Sequence, residues 1–379
     1  MEEHPGAAVR RRSTFASLAY PNYRLWFFGQ MTSLFGTWMQ STAQGYLVYE
    51  LTRSEAYLGY VGFASGIATW LFTLFGGVVA PWHIICLAFS LGVVNAFDAP
   101  ARQSFILEMV ERPSLTNAIA LNSTMFNTAT AIGPAMGGLT YALLGPGWCF
   151  AINGFSFVAV IGALLAMRLP AWTPRRTGGS ALADIREGLR VVASDRRILA
   201  VIGLLAGLSL FGMSFATLLP AWAVQVLGGD ARTNGFLQSA RGLGALSAAL
   251  GIASLSDRRL KGTIMTAAAL ALPVSLVLFS LTRSLAFSLV ALLVVGAANI
   301  TVVNLANSLV QGLVPDEVRG RVMGVYLLAF FGFMPIGALL AGAIASAAGT
   351  PLTVALSALG FLACASLVTL LVPSLRRLA

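Results

Sequence analysis

Charge is what this chain has least of. Of 379 residues only 10% are Asp, Glu, Lys or Arg, against about 25% in an ordinary soluble domain. So few ionisable side chains cannot clothe a water-facing surface, which excludes a soluble globular fold for most of the chain. Histidine is nearly absent. His4 lies near the N-terminus and His83 at the edge of an apolar run, so no histidine-based metal cluster or acid–base pair is on offer. Cysteine is sparse too. Cys86, Cys149 and Cys364 each sit inside an apolar run, without zinc-site spacing or a disulfide framework, and read as small packing residues. There is no His-Glu-x-x-His, no Gly-x-Ser-x-Gly and no Gly-x-x-x-x-Gly-Lys-Ser/Thr. That removes the zinc-hydrolase, serine-hydrolase and ATP-driven readings. An enzyme is not expected, nor is a cofactor or a metal.

What the chain has instead is apolar length. It is 57% hydrophobic, with 39 glycines, a composition suited to membrane helices that pack through small side chains. A span needs about 20 apolar residues. Eleven candidates fall at 25–49, 57–79, 82–104, 115–143, 148–168, 198–227, 233–255, 262–282, 285–310, 320–346 and 351–372. The first, after Arg10, Arg11 and Arg12, is too long for a signal peptide and lacks a clear cleavage site, so it reads as a retained helix. Between them lies a different stretch, with Arg175, Arg176, Gly178 and Gly179 followed by Leu182, Ile185, Leu189 and Val192 on one face. This reads as a cytoplasmic linker with an amphipathic surface helix. The expected organisation is an N-terminal bundle over 1–168, a linker over 169–197 and a C-terminal bundle over 198–379.

The two bundles share a faint repeat. Pro113 precedes a helix holding Pro134, and Pro315 precedes one holding Pro335; Asn95 and Asn299 stand ahead of the respective first prolines. Repeated halves with a site between them are a common transporter plan. The net charge of +10 is placed by topology rather than by nucleic acid. With twelve spans and both termini inside, 20 of 24 basic residues fall on the cytoplasmic side, three (Arg53, Arg232, Arg283) fall outside and Arg241 is embedded. That is a strong positive-inside bias. With eleven spans taken literally the inside count drops to 6 and the outside count rises to 17. The charge pattern therefore places one missing crossing between Ala80 and Pro81. Chain reach agrees: the steps from Gly77 to Trp82 extend at most about 17 Å, against a hydrocarbon core of about 30 Å.

Several runs resemble the major facilitator superfamily, within it the enterobactin-exporter-like and multidrug efflux branch. They are Phe97-Asp98-Ala99-Pro100-Ala101-Arg102-Gln103-Ser104-Phe105, Asn117-Ala118-Ile119-Ala120-Leu121-Asn122-Ser123 and Gly133-Pro134-Ala135-Met136-Gly137-Gly138. The last is similar to the antiporter motif of drug–proton exchangers. Gly76-Gly77-Val78-Val79-Ala80 looks like the start of the superfamily's first gating loop, but the Asp-Arg that should follow is replaced by Pro81-Trp82. The resemblance thus puts the loss in the third helix. The related loop of the second half survives as Ser256-Asp257-Arg258-Arg259-Leu260-Lys261, so Asp257, Arg258 and Arg259 are expected to gate on the cytoplasmic side. The resemblance implies an all-α two-bundle membrane protein, with eleven visible spans of twelve, in a bacterial inner membrane and with both termini cytoplasmic. It implies export of a small-molecule substrate by alternating access, coupled to protons, by a monomer within the lipid bilayer. The alternative is an internally truncated member that does not transport.

Candidate site residues follow from buried polarity. Gln30, Ser33, Thr37, Gln40 and Gln44 recur at steps of 3, 4, 3 and 4, one polar stripe on an apolar helix. Facing lipid, such amides cost several kcal/mol each, so the stripe is either interhelical glue or cavity lining; the resemblance favours lining. Asn304, Asn307 and Gln311 form a second stripe, and Asn95, Asp98 and Arg102 a third. Asp98 and Arg102 are four apart and can pair, so Asp98 is either a proton carrier or a structural partner. Arg241 lies about 15 Å into its span, either an anion site or an arginine held by carbonyls. Gly133, Pro134, Gly137 and Gly138 combine a kink with close helix approach.

Overall fold

The computed structural model describes residues 15–67, 109–167, 181–254 and 260–377, and every one of the long apolar runs among them is helical. In chain order the helices are α1 (Pro21–Thr52), α2 (Glu55–Ile67), α3 (Arg112–Leu144), α4 (Pro146–Ala166), α5 (Ala181–Ser194), α6 (Arg196–Val226), α7 (Ala231–Ser254), α8 (Lys261–Leu281), α9 (Leu285–Leu313), α10 (Asp316–Ala348) and α11 (Thr350–Leu371). At about 1.5 Å per residue, the 32 residues of α1 reach beyond a hydrocarbon core. Six of these helices, α4, α6, α8, α9, α10 and α11, are long and apolar enough to cross a membrane by length and composition. The apolar run expected over 57–79 is described only as far as Ile67, and that over 82–104 lies outside the described residues. So does the junction of Ala80 and Pro81.

Local chemistry sets the breaks. Proline opens α1, α4 and α11 within the first two positions, where its missing N–H costs nothing. Gly145 (φ 89) joins α3 to α4 and Gly349 (φ 84) joins α10 to α11. Both are single-residue turns in the left-handed region that a side chain disfavours, at matching places in the two halves. Asp195 caps α6 by accepting from the Arg197 amide at 2.8 Å. The Arg197 side chain, also bonded to it, holds the Asp195 carboxyl below the usual carboxylate range. Helix α6 is not uniform: wide turns at Leu208–Gly212 and Trp222–Val226 flank a tight one at Ser214–Leu218.

Consecutive helices run antiparallel, so the connections collect at two ends. One end carries Arg24, Arg196, Arg197, Lys261, Arg319 and Arg321 and is called the basic end. The other carries Arg53 at the turn after α1, Arg232 in the first turn of α7 and Arg283 at the turn after α8, and is called the far end. Large apolar side chains point outward in place of charges: Leu165 is 82% exposed, Phe155 74% and Leu370 74%. An outward apolar face with an inward small-residue face is the arrangement lipid demands.

Burial divides into four clusters. A large core runs from Val192 to Leu375 and belongs to the second half alone. A smaller one, around Tyr23, Trp26, Leu34, Leu121 and Met125, belongs to the first half. Two more bridge the halves, both toward the far end. One joins Val48 and Tyr49 (α1), Leu58 and Val61 (α2) and Ala221 (α6). The other joins Met39 and Ala43 (α1), Tyr141 (α3), Cys149 (α4) and Ala231 (α7). Each bundle therefore has its own core, and the two meet over the far half of their length.

Candidate substrate cleft and the seam that closes it

The seam is made by residues with almost no side chain. A β-carbon added to Gly138 of α3 meets the Ala231 carbonyl oxygen of α7 at 2.4 Å, and one added to Gly235 of α7 meets the Pro134 carbonyl at 2.6 Å. On the second pair, a β-carbon at Gly342 of α10 comes 2.6 Å from the Gly59 Cα of α2. These are backbone-to-backbone contacts, which only glycine permits. The antiporter-type run thus faces two ways. Gly133 and Gly137 admit Trp38 and Met39 of α1, within the first bundle, while Pro134 and Gly138 face α7, across the seam. Pro134 has no N–H to give back to Thr130, and the Thr130 carbonyl lies against Gly242 of α7 instead. The next amide, Ala135 N–H, donates to Ser239 Oγ of α7 at 2.9 Å. The kink and the seam are one feature. Asn234, fully buried, donates from Nδ2 to the Thr42 carbonyl at 3.4 Å and ties α7 to α1.

At the basic end the bundles part. A cavity of about 580 Å³ opens there, lined by Ser123 of α3, by Asn304, Asn307, Ser308, Gln311 and Gly312 of α9, and by Arg319 of α10. The α9 stripe read from sequence faces this cavity, with Gln311 donating to Asn307 Oδ1 at 2.8 Å. Sequence reasoning missed Ser123, Ser308 and Arg319. Lys261 donates to Ser308 Oγ at 2.9 Å, placing a cation at the rim.

The α1 stripe behaves differently. Gln40 accepts from Asn153 Nδ2 of α4 at 2.6 Å, inside the first bundle, so this position is interhelical glue. Ser33 and Gln44 are buried, and Gln30 and Thr37 are half-buried. The stripe does not line one open wall, because α1 is wrapped by α3, α4 and α7 on different sides. Arg241 is half-buried and has no hydrogen-bond or ion-pair partner among the described residues. Its carbonyl sits where a β-carbon on Gly296 of α9 would be 1.9 Å away, so α7 and α9 touch there. Further along α9, Asn299 Oδ1 is buried with no partner among the described residues. Asn95, Asp98 and Arg102 lie outside the described residues, as do Asp257, Arg258 and Arg259.

Sequence reasoning also missed Glu55. Its side chain is 7% exposed at the start of α2 and accepts from Gln225 Nε2 of α6. Thr350 of α11, fully buried, approaches the same carboxylate oxygen at 3.5 Å and donates to Gln225 Oε1 at 3.0 Å.

Residues 69–377 match the family described as Transmembrane secretion effector. A multidrug efflux pump, Tap of Mycolicibacterium fortuitum, is 29% identical over 277 residues, covering 70% of this chain and 67% of the relative. The enterobactin exporter EntS of Escherichia coli O1:K1 / APEC is 25% identical over 337 residues, covering 86% and 76%. Among solved structures, the nucleoside transporter NupG superposes with a TM-score of 0.68 at 16% identity, over 93% of this chain and 99% of that one; at that identity the likeness speaks for the fold. With 309 of its residues inside the family match, two separately cored bundles and a polar cavity between them, the chain belongs to the Transmembrane secretion effector family of major facilitator superfamily transporters.

Proposed function

We propose that this transporter exports small amphipathic compounds of the drug or siderophore class by alternating access, coupled to proton influx. The observation that carries the reading is the asymmetry of the contact between the bundles: glycine-tight at the far end, parted around a polar cavity at the basic end. Alternating access needs two such ends that exchange roles. The positive-inside rule makes the basic end cytoplasmic, with both termini on that side and the cavity open to the cell interior, where an exporter loads. The bundles are taken as 1–168 and 198–379, joined by the 169–197 linker. The printed activities of the relatives, multidrug efflux and enterobactin export, support the substrate class. Asn304, Asn307 and Gln311 supply neutral hydrogen bonds to a substrate. Arg241 supplies a positive charge near mid-depth that suits a carboxylate or catecholate. Asp98, four residues before Arg102 in the sequence, is the proposed proton carrier.

The test is flux of a fluorescent cationic dye, a neutral drug and a catecholate in proteoliposomes with an imposed pH gradient. Movement against the dye gradient that collapses with a protonophore is the expected result. Flux that ignores the pH gradient removes the coupling, and no flux of any compound removes the exporter reading. Arg241→Ala is expected to cut catecholate flux about tenfold, the worth of one charge-assisted hydrogen bond at ~1.4 kcal/mol, and to leave the neutral compound within about twofold. Equal loss for both classes overturns the anion role.

A further inference from the structure

Among the described residues Glu55 is a nearly buried carboxylate with no ion-pair partner, and both of its bonds reach the other half of the molecule. Such a group is costly unless it is well paired. Three features meet that cost. Glu55 is the first residue of α2, so its carboxylate stands at the positive end of its own helix dipole, and Thr350 brings the N-terminus of α11 beside it. Gln225 donates from Nε2 to Glu55 Oε1, and the single Thr350 hydroxyl proton is shared between Gln225 Oε1 at 3.0 Å and Glu55 Oε1 at 3.5 Å, which links the three residues in a ring. Gln225 sits within the wide turn at Trp222–Val226; such bulges recur at functional sites. Among the described residues, the charged and titratable groups at this corner come from the end of α1 and the turn after it. They are the Tyr49 phenol, near Glu55 and Gln225, and Arg53.

We infer that Glu55, Gln225 and Thr350 form the far-end latch of the transporter, a gating trio that holds the two bundles together beside the Gly59–Gly342 contact. The inference rests on the alternating-access reading above. The glycine contacts of the seam are short-range and apolar, and the hydrogen bonds beside them, Ala135 N–H to Ser239 Oγ and Asn234 Nδ2 to the Thr42 carbonyl, are neutral. The trio is different, because a parted carboxylate, amide and hydroxyl are all hydrated. Its strength therefore sets the balance between the two ends rather than the packing of either bundle. Gln225 is exposed at the far surface while Glu55 and Thr350 lie beneath it, so the trio is the outermost polar tie across the α2–α6–α11 corner.

The geometry makes a sharp claim about chemistry. Both donors meet at one oxygen, so an amide oxygen in the same place serves as well as a carboxylate. The experiment labels Ala338→Cys, buried against Gly62 in the seam, with a membrane-impermeant maleimide in intact membranes. Reaction at residue 338 is read by peptide mass spectrometry, so the native cysteines do not contribute. Glu55→Ala is expected to raise the labelling rate about tenfold, which corresponds to ~1.4 kcal/mol in the equilibrium between far-end closed and open. Glu55→Gln is expected to stay within about twofold of the parent, and Thr350→Val to rise about threefold, by the loss of neutral hydrogen bonds. Thr350→Val also stands as the test where Glu55→Ala fails to accumulate. Gly342→Leu serves as the reference, since it forces the seam apart whatever the latch does. Labelling unchanged in Glu55→Ala and Thr350→Val, but raised in Gly342→Leu, overturns the latch and spares alternating access. Labelling unchanged in all three overturns the two-ended exchange and the latch with it. A rise in Glu55→Gln equal to that in Glu55→Ala overturns the shared-oxygen geometry and makes the charge itself the tie.

Discussion

The far end and the basic end are made of opposite materials. At the far end the bundles touch through the backbone of Gly59, Gly138, Gly235 and Gly342, and closure depends on side chains that are not there. At the basic end Asn304, Asn307, Ser308 and Gln311 face a cavity, and the separation is filled by polar groups that water or a substrate can satisfy. A glycine contact is tight yet carries no directional bond of its own, and the hydrogen bonds beside it, such as Ala135 N–H to Ser239 Oγ, are neutral, so the seam can part and re-form. A wall of amides closes only if each donor finds an acceptor, as Gln311 does on Asn307. The difference explains why one end seals while the other receives.

That contrast can be broken from the sealing side most strongly. Gly138→Leu places carbon into the Ala231 carbonyl, which is backbone and cannot yield. Overpacking of this kind costs ~1–3 kcal/mol, and export is expected to fall at least about tenfold with expression retained. Gly154→Leu, on α4 with nothing within 4 Å of the added carbon, is the matched control and should leave flux unchanged. Next comes the glue inside the first bundle. Asn153→Ala strips Gln40 of its partner and is expected to cost ~1–2 kcal/mol. It should appear as a melting temperature several degrees lower in a detergent thermal-shift assay, with substrate preference unaltered. At the receiving end, Asn307→Ala removes one neutral hydrogen bond to whatever occupies the cavity. An increase in KM of about threefold with maximal flux preserved is expected, the worth of ~0.7 kcal/mol. The smallest effect belongs to the kink. Ser239→Ala deletes the hydroxyl that receives the Ala135 amide, and far-end labelling should change by no more than about twofold. A larger effect there than at Gly138 would reverse the ranking of backbone contact over hydrogen bond in the seam.

Much of the molecule was legible before any coordinates. The apolar run 115–143 became α3 at Arg112–Leu144, and 262–282 became α8 at Lys261–Leu281, because twenty apolar residues in a row admit little but a helix. The α9 stripe was legible for the same reason of period: residues at steps of three and four share a face, and that face met a cavity. The α1 stripe followed the same rule and came out otherwise, because a helix enclosed on several sides spends its amides on neighbours, as Gln40 does on Asn153. Glu55 was illegible. After Arg53 and Ser54 it reads as an ordinary first-turn acid beside water, and its partners stand 170 and 295 residues further along the chain.

The sequence by itself determined the solvent, the number and direction of the described helices and the family. The solvent and the helices follow from composition and from the period of apolar and basic residues, and the family from short runs that resemble its motifs, all of them local properties of the chain. Only the tertiary structure decided which glycines form the seam, which amides face a cavity and which carboxylate is buried. Those depend on where two separately cored bundles touch, and contact between distant segments leaves no period in either one.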